Sequence, residues 1–156
     1  TFRQELSLMA FYNRKKLELQ EALAKLEAAE SRVRELESDF QAIEQAVAVL
    51  VMTQDDIIER ANDRFRDLLG YEPDDLVGQH HRIFCDSDYA KSEDYIQFWR
   101  ELVTGNVKQG SFPAVHANGH DVLLEARYSP VKGEQGISRR VIAIIGASQR
   151  GVHKSI

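Results

Sequence analysis

The side chains of this 156-residue chain that could do chemistry fall in three places. His80 and His81 precede Arg82-Ile83-Phe84-Cys85-Asp86, which sets two imidazoles and a thiol close together. Neutral imidazole and thiolate are side-chain types that hold haem iron, given an apolar cavity around the ring. Cys85 is the one cysteine. A thiolate there could sense redox state if a cation stabilised it. Arg82 would help and Asp86 opposes, so the expectation is a small buried packing residue. His116 and His120 have the H-x-x-x-H spacing, which on a helix puts both rings on one face. Asn118-Gly119 between them instead marks a hairpin tip, with no acidic or thiol third ligand fixed nearby. They read as exposed turn histidines, so no metal is expected, though their ordinary pKa near 6.5 leaves a pH response conceivable. Phe98, Trp99 and Tyr128 could wall a pocket or simply be core. No glycine-rich phosphate loop, nucleophile elbow or paired catalytic acid stands out, and Asp74-Asp75, Asp86 and Asp88 sit where helix starts favour carboxylates.

These residues must be positioned by two unlike parts of the chain. Residues 1 to about 47 hold no Gly or Pro and are rich in Glu, Leu, Ala, Lys and Gln, all good helix formers. Stepping by 4 and 3 from Leu8 meets Tyr12, Lys15, Leu19, Ala22, Leu26 and Ala29. It continues through Val33, Leu36, Phe40, Ile43, Val47 and Leu50, and every position but Lys15 is apolar. That seam of about six heptads predicts a coiled coil. The helix would be about 70 Å long, at roughly 1.5 Å per residue, too long for a domain of about 100 residues to cover. A second copy covers it most simply, so a homodimer through residues 8–50 is expected, the alternative being a single helix lying on the globular part. The outer face alternates charge at Arg32, Arg34, Glu35 and Glu37, as a solvated face does.

From residue 48 the pattern changes. Ala48–Met52 reads as a buried strand and Asp55-Asp56 as a turn into a second. Asn62 opens a short helix ended by Gly70, and Pro73–Val77 is a helical turn ended by Gly78. Ser92 caps a longer helix with Tyr95, Phe98, Trp99, Leu102 and Val103 on one face, stopped at Gly105-Asn106. Three strands follow, 110–116, 121–131 and 140–147, the first two joined at Asn118-Gly119. The chain is thus expected to divide into a helix (1–47), a globular domain (48–148) and a tail or linker (149–156).

Composition limits the function. The chain is 43% hydrophobic and 29% charged with a formal charge of −5. That suits a folded protein and argues against a dedicated nucleic-acid binder, which needs a basic stripe. No apolar run reaches the roughly 18 residues a membrane span needs, so no membrane contact is expected within this sequence. A lone cysteine fits a reducing compartment, hence a cytoplasmic location. Thr1 as first residue reads as a fragment of a longer polypeptide.

Taken together, residues 47–148 resemble a PAS domain. The likeness lies in Ala61-Asn62, Phe65, Leu69-Gly70-Tyr71 and Asp75-Leu76-Val77-Gly78. It continues in His80–Asp86, Ser92-Glu93-Asp94-Tyr95, Phe98-Trp99, Leu102, Gly110-Ser111-Phe112, Asn118-Gly119 and Ala126–Val131. The run HHRIFCD with a downstream Tyr and Phe-Trp is similar to PAS domains of bacterial methyl-accepting chemotaxis proteins and their energy-taxis relatives. The resemblance implies an α+β fold: a five-stranded antiparallel sheet cupping a pocket closed by short helices. It implies sensing of a small molecule, oxygen or redox state, often through haem or flavin, relayed along flanking helices to a downstream module. No catalytic activity is implied. The candidate cofactor-binding residues are His80, His81, Cys85, Asn62, Phe98, Trp99 and Tyr128. One haem-binding type takes its His from the central helix, which here has none; another takes it from the segment after Gly78, where His80 and His81 lie. Photosensing flavin domains carry Asn-Cys-Arg where this chain has His80-His81-Arg82, so no photoadduct is expected. A non-covalent flavin, haem and an empty pocket all stay open. Relatives carry Trp where this chain has Leu123, and a basic residue where it has Pro113, which predicts an edge or bulged strand there. The rival readings are a cofactor-free dimerisation module and the regulatory fragment of a histidine kinase or diguanylate cyclase.

Overall fold

The apolar run after the long helix becomes the strand around which the domain is built. In the computed structural model, which describes residues 1–136 and 138–147, β1 (Ala48–Thr53) pairs antiparallel with β2 (Ile58–Ala61) on one side and β5 (Ser138–Ala147) on the other. Three further elements, α2 (Asp63–Leu69), α3 (Pro73–Leu76) and a 3-10 turn (His81–Phe84), follow β2. Then come α4 (Ser87–Ala90), α5 (Glu93–Val103), β3 (Lys108–Val115) and β4 (Asp121–Lys132). The sheet order is β2-β1-β5-β4-β3, antiparallel throughout. This is the expected five-stranded α+β architecture. The proposed tail 149–156, and residue 148 of the expected globular domain, lie outside the described residues.

Period-two alternation sorts the strands. Leu124, Ala126 and Tyr128 of β4 and Val141, Ala143 and Ile145 of β5 are buried, while Leu123 and Ile144 face outward at 40% and 45% exposure. Leu123 therefore stands on the outer sheet surface. On α5 the 3.6 period buries Tyr95, Phe98, Trp99 and Leu102 in the same core as Leu50, Met52 and Tyr128.

Pro113 sits on the edge strand β3, in a ladder with β4 that shows no register shift. Its carbonyl accepts from the Asp86 amide at 3.1 Å, so this residue's polar groups face away from β4 and its missing N–H costs the ladder nothing. A bridge between Cys85 and Ala114 covers the same edge.

Gly70 ends α2 in the left-handed region (φ 79°), with its amide donating to the Arg66 carbonyl at 2.6 Å. The β3–β4 tip docks there: the Ala117 amide donates to the Leu69 carbonyl at 2.8 Å, and a Cβ on Gly70 would stand 2.5 Å from the His116 ring. Gly70→Ala is expected to cost about 1–2 kcal/mol from backbone conformation, with more if the His116 ring cannot move. Urea unfolding read by circular dichroism measures it, and a loss below about 0.5 kcal/mol would show that the turn relaxes freely.

The chain separates into two compact units, Thr1–Ala42 and the rest from Ile43. The first is most of α1 (Phe2–Ala46), a continuous helix with no buried residue. Seam residues Leu8, Leu19, Leu26, Val33 and Leu36 are 49–68% exposed. The seam read from sequence runs too far: α1 stops at Ala46, and Leu50 lies fully buried in β1. Leu50 kept the spacing because the buried strand that follows the helix is apolar at nearly every position, so the helical seam ends at Ile43.

Candidate functional site

A file of polar side chains crosses this otherwise apolar core. The β1–β2 turn puts Asp56 at φ 70°, a conformation that Asp tolerates through its short polar side chain. Residues 78–80 then run beside the start of β2: His80 bridges Ile57, the Ile58 amide donates to the Gln79 carbonyl, and the Gly78 amide to the Ile58 carbonyl, both at 2.8 Å. This strap delivers His81, whose amide donates to the Asp56 carbonyl (2.9 Å) and to Asp56 Oδ1 (3.1 Å). The imidazole enters the core at 2% exposure.

There His81 Nε2 lies 2.7 Å from Tyr128 Oη, and Nδ1 lies 3.2 Å from Tyr95 Oη. The Tyr95 hydroxyl in turn donates to Asp56 Oδ2 at 2.6 Å. The directions follow. An ionised carboxylate only accepts, so Tyr95 gives its proton to Asp56 and can only accept from His81. Nδ1 therefore carries the imidazole hydrogen, and the bare Nε2 accepts from Tyr128. Burial favours this neutral ring, holding the His81 pKa down from 6.5 to about 3. Burial raises the hydroxyl pKa of Tyr128 and Tyr95 as well, so both stay protonated. At the outer end burial pushes the Asp56 carboxyl up from 3.8 to about 6, against the hydrogen bonds from Tyr95 and His81 and the nearby His80 and Arg82.

The Asp56 shift gives a signed expectation. Folded Asp56 holds its proton to about pH 6 and the unfolded chain releases it near 3.8. Between these values the folded state binds more protons, so this group's contribution to stability falls as pH rises through the window. Asp56→Asn removes that fall. The melting temperature of the variant minus that of the wild type is expected to climb from pH 4 to pH 6 and then level. A flat difference would mean that the carboxyl is not desolvated.

The other candidates separate in space. Cys85 is buried, with Sγ 3.5 Å from His81 Nδ1 and donating to the His81 carbonyl at 3.6 Å. Burial pushes its thiol up, which disfavours the thiolate. Asn62 serves the backbone: Oδ1 accepts from Val49 (2.9 Å) and Phe65 (3.1 Å), and Nδ2 donates to the carbonyls of Val47 (2.8 Å) and Glu44 (3.1 Å). Those four bonds fill its capacity, so it presents nothing to a cofactor. His80 is exposed, and the His116 and His120 rings stack at 4.4 Å on the hairpin tip. Among the described residues no group of three or more His, Cys, Asp or Glu is placed to hold a metal.

Neither haem nor flavin fits the core as built. Both His81 nitrogens are engaged by hydroxyls, so neither is free for an axial bond, and Phe84, Tyr95, Trp99 and Tyr128 pack the ring at centroid distances of 4.7–6.0 Å, which leaves no room beside it for a haem. Phe98 meets Trp99, Phe112 and Tyr128 edge-to-face at 4.9–5.9 Å, so these rings fill the slot that a flat cofactor needs.

Asp56 and Tyr95 are the members of the file that sequence reading did not select. They are 39 residues apart and appeared as a turn residue and a helix-face residue. No local pattern announces such a pair.

A single antiparallel sheet with short helices over one face thus encloses a polar file that leads inward from a turn. Residues 45–146 match the PAS domain family, and the chain belongs to that family. Over 113 residues it is 35% identical to the biofilm dispersion protein BdlA of Pseudomonas aeruginosa. That match covers 72% of this chain and 27% of BdlA, so the chain spans about a quarter of this relative's length. Among solved structures, the PAS domain of a Colwellia psychrerythraea protein aligns at a TM-score of 0.63 with 19% identity, over 74% of this chain and 98% of that one. A domain of a sensory box sensor histidine kinase/response regulator from Geobacter sulfurreducens aligns at 0.62 with 13% identity, over 72% and 95%. These two likenesses concern the fold alone.

Proposed function

We propose that this chain is the cytoplasmic sensory segment of a chemoreceptor-like protein, in which the PAS core receives a small-molecule stimulus and a dimeric coiled coil relays it to a downstream module. The observation that carries the reading is the file Asp56–Tyr95–His81–Tyr128, which links a surface turn to β4 through the core. Buried polar chains are costly unless fully satisfied, and a satisfied chain has discrete arrangements. Protonation or a new partner at Asp56 would reverse its donor directions as far as Tyr128.

An exit route lies beside it. The last turn of α1 is clamped to the domain by Asn62, by Arg64 Nε donating to the Gln45 carbonyl at 2.9 Å, and by the Glu44–Arg60 ion pair. A shift in β1 and α2 therefore reaches the backbone at which the helix ends. With a second copy along the seam from Leu8 to Ile43, that shift would bias two arrangements of the pair. Among the described residues no helix is long and apolar enough to cross a membrane.

Spin labels on Ser31→Cys test the relay, because Ser31 is exposed and Cys85 is buried. One interhelix distance is expected in the wild type and a different one in Asp56→Asn, which mimics the protonated carboxyl. Identical distances would overturn the relay. The filled core favours a second reading, a cofactor-free dimerisation module. Identical distances together with a stable dimer would select it.

A further inference from the structure

The file begins at the wall of a groove whose side chains have a chemistry of their own. About 750 Å³ of space lies between the β1–β2 turn, the start of the 3-10 turn, the end of α4 and one flank of α5, within the range of small-molecule sites. Its apolar lining includes Ile96, Val103, Trp99 and Ala90. Arg82, Lys91 and Arg100 line it too. Among the described residues Arg82 and Lys91 make no salt bridge. Arg100 has one long hydrogen bond, 3.5 Å to Gln97 Oε1. Three cations collect here in a chain whose formal charge is −5.

Two further facts narrow the ligand. Asp55 and Asp56 share the groove, so Arg82, Lys91 and Arg100 leave one positive charge uncompensated. A monoanion balances that charge, whereas a phosphate dianion meets two carboxylates. Trp99, 8% exposed, has a buried indole N–H that faces the Tyr95 hydroxyl without reaching good hydrogen-bond geometry. It lies close enough to Tyr95 to ease that hydroxyl's ionisation, which places it near the outer end of the file.

We propose that this groove binds an organic monocarboxylate with an apolar or aromatic body, the carboxylate lying among Arg82, Lys91 and Arg100 and the body along Trp99, Ile96 and Val103. As the stimulus of the domain, this ligand rests on the sensory reading above. A carboxylate seated beside Asp56 would favour protonation there and so act on the file.

Trp99 is the sole tryptophan, so its indole gives one cross-peak in a ¹H–¹⁵N spectrum of the whole chain. Titration with 4-phenylbutyrate is expected to move that peak saturably. 4-Phenylbutyramide, equal in shape and uncharged, is expected to bind at least ten-fold more weakly, and inorganic phosphate to leave the peak in place. Arg82→Gln with Lys91→Gln, both exposed, should weaken 4-phenylbutyrate ten-fold or more with an unchanged melting temperature. No saturable shift with either 4-phenylbutyrate or benzoate, equal binding of the amide, an equal shift with phosphate, or indifference to the double variant would each overturn the proposal. Repeating the Ser31 distance measurement with saturating 4-phenylbutyrate keeps the two readings apart. Binding without a distance change leaves the groove proposal standing and counts against the relay.

Discussion

His81→Ala is expected to lower the unfolding free energy of the domain by about 3–5 kcal/mol, the range of a large core side chain cut to a methyl. The ring touches four aromatic neighbours, so its removal opens a cavity in the centre of the core. It also leaves the Tyr128 hydroxyl, within a residue 1% exposed, without its acceptor, a loss of about 1–3 kcal/mol by itself. The loss is expected to depend on pH. Folded His81 stays neutral to about pH 3, while in the unfolded chain it titrates near 6.5. In that window the unfolded state binds more protons, so the His81 contribution is complete above pH 6.5 and drains away as pH falls toward 3. The gap between wild type and His81→Ala should therefore narrow on acidification. His81→Phe separates volume from polarity: it refills the cavity but still strands Tyr128, and adding Tyr128→Phe should recover about 1–2 kcal/mol through coupling of the pair. Urea unfolding at pH 7.5 and pH 5 measures all of these. A His81→Ala loss below about 1 kcal/mol, or double-variant energies that simply add, would show that the file does not hold the core together.

The sequence announced His81 as a candidate but not its role. Strands, hairpin and caps were legible because each is written locally: Asn62 and Gly70 bound α2, Ser92 caps α5 by accepting from the Tyr95 amide at 3.2 Å, and Asn118-Gly119 turns β3 into β4. The file was not, because its members come from a turn, a 3-10 strap, a helix and a strand up to 72 positions apart, and only the folded sheet brings them into register. Asn62 shows the opposite error. It was chosen for its place in a family pattern, and its side chain proved to tie the end of α1 to α2. Leu50 extended the seam because periodicity cannot tell the last heptad position from the first residues of a buried strand.

Breaking the seam is expected to have the other large effect. From Leu19 to Phe40 the seam positions keep an apolar seven-residue repeat, which a straight helix of 3.6 residues per turn does not hold in line unless it supercoils around a partner. Leu26 lies mid-seam at 52% exposure and Leu17 midway between the seam positions Lys15 and Leu19 at 55%, so an isolated helix leaves them equivalent. Pairing makes them different. Leu26→Lys removes about 1.5–3 kcal/mol of side-chain burial from each copy and sets two ammonium groups against each other. The dimer dissociation constant should rise by about 10³-fold or more, taking about 1.4 kcal/mol per factor of ten. Leu17→Lys, on the outer face, should change it by less than about three-fold. Multi-angle light scattering at 10–100 µM, with circular dichroism to follow the helix, reads both. Equal effects from the two substitutions, or a wild-type monomer over the same range, would mean that the seam has no second copy against it, and the domain would have to signal without a coiled coil.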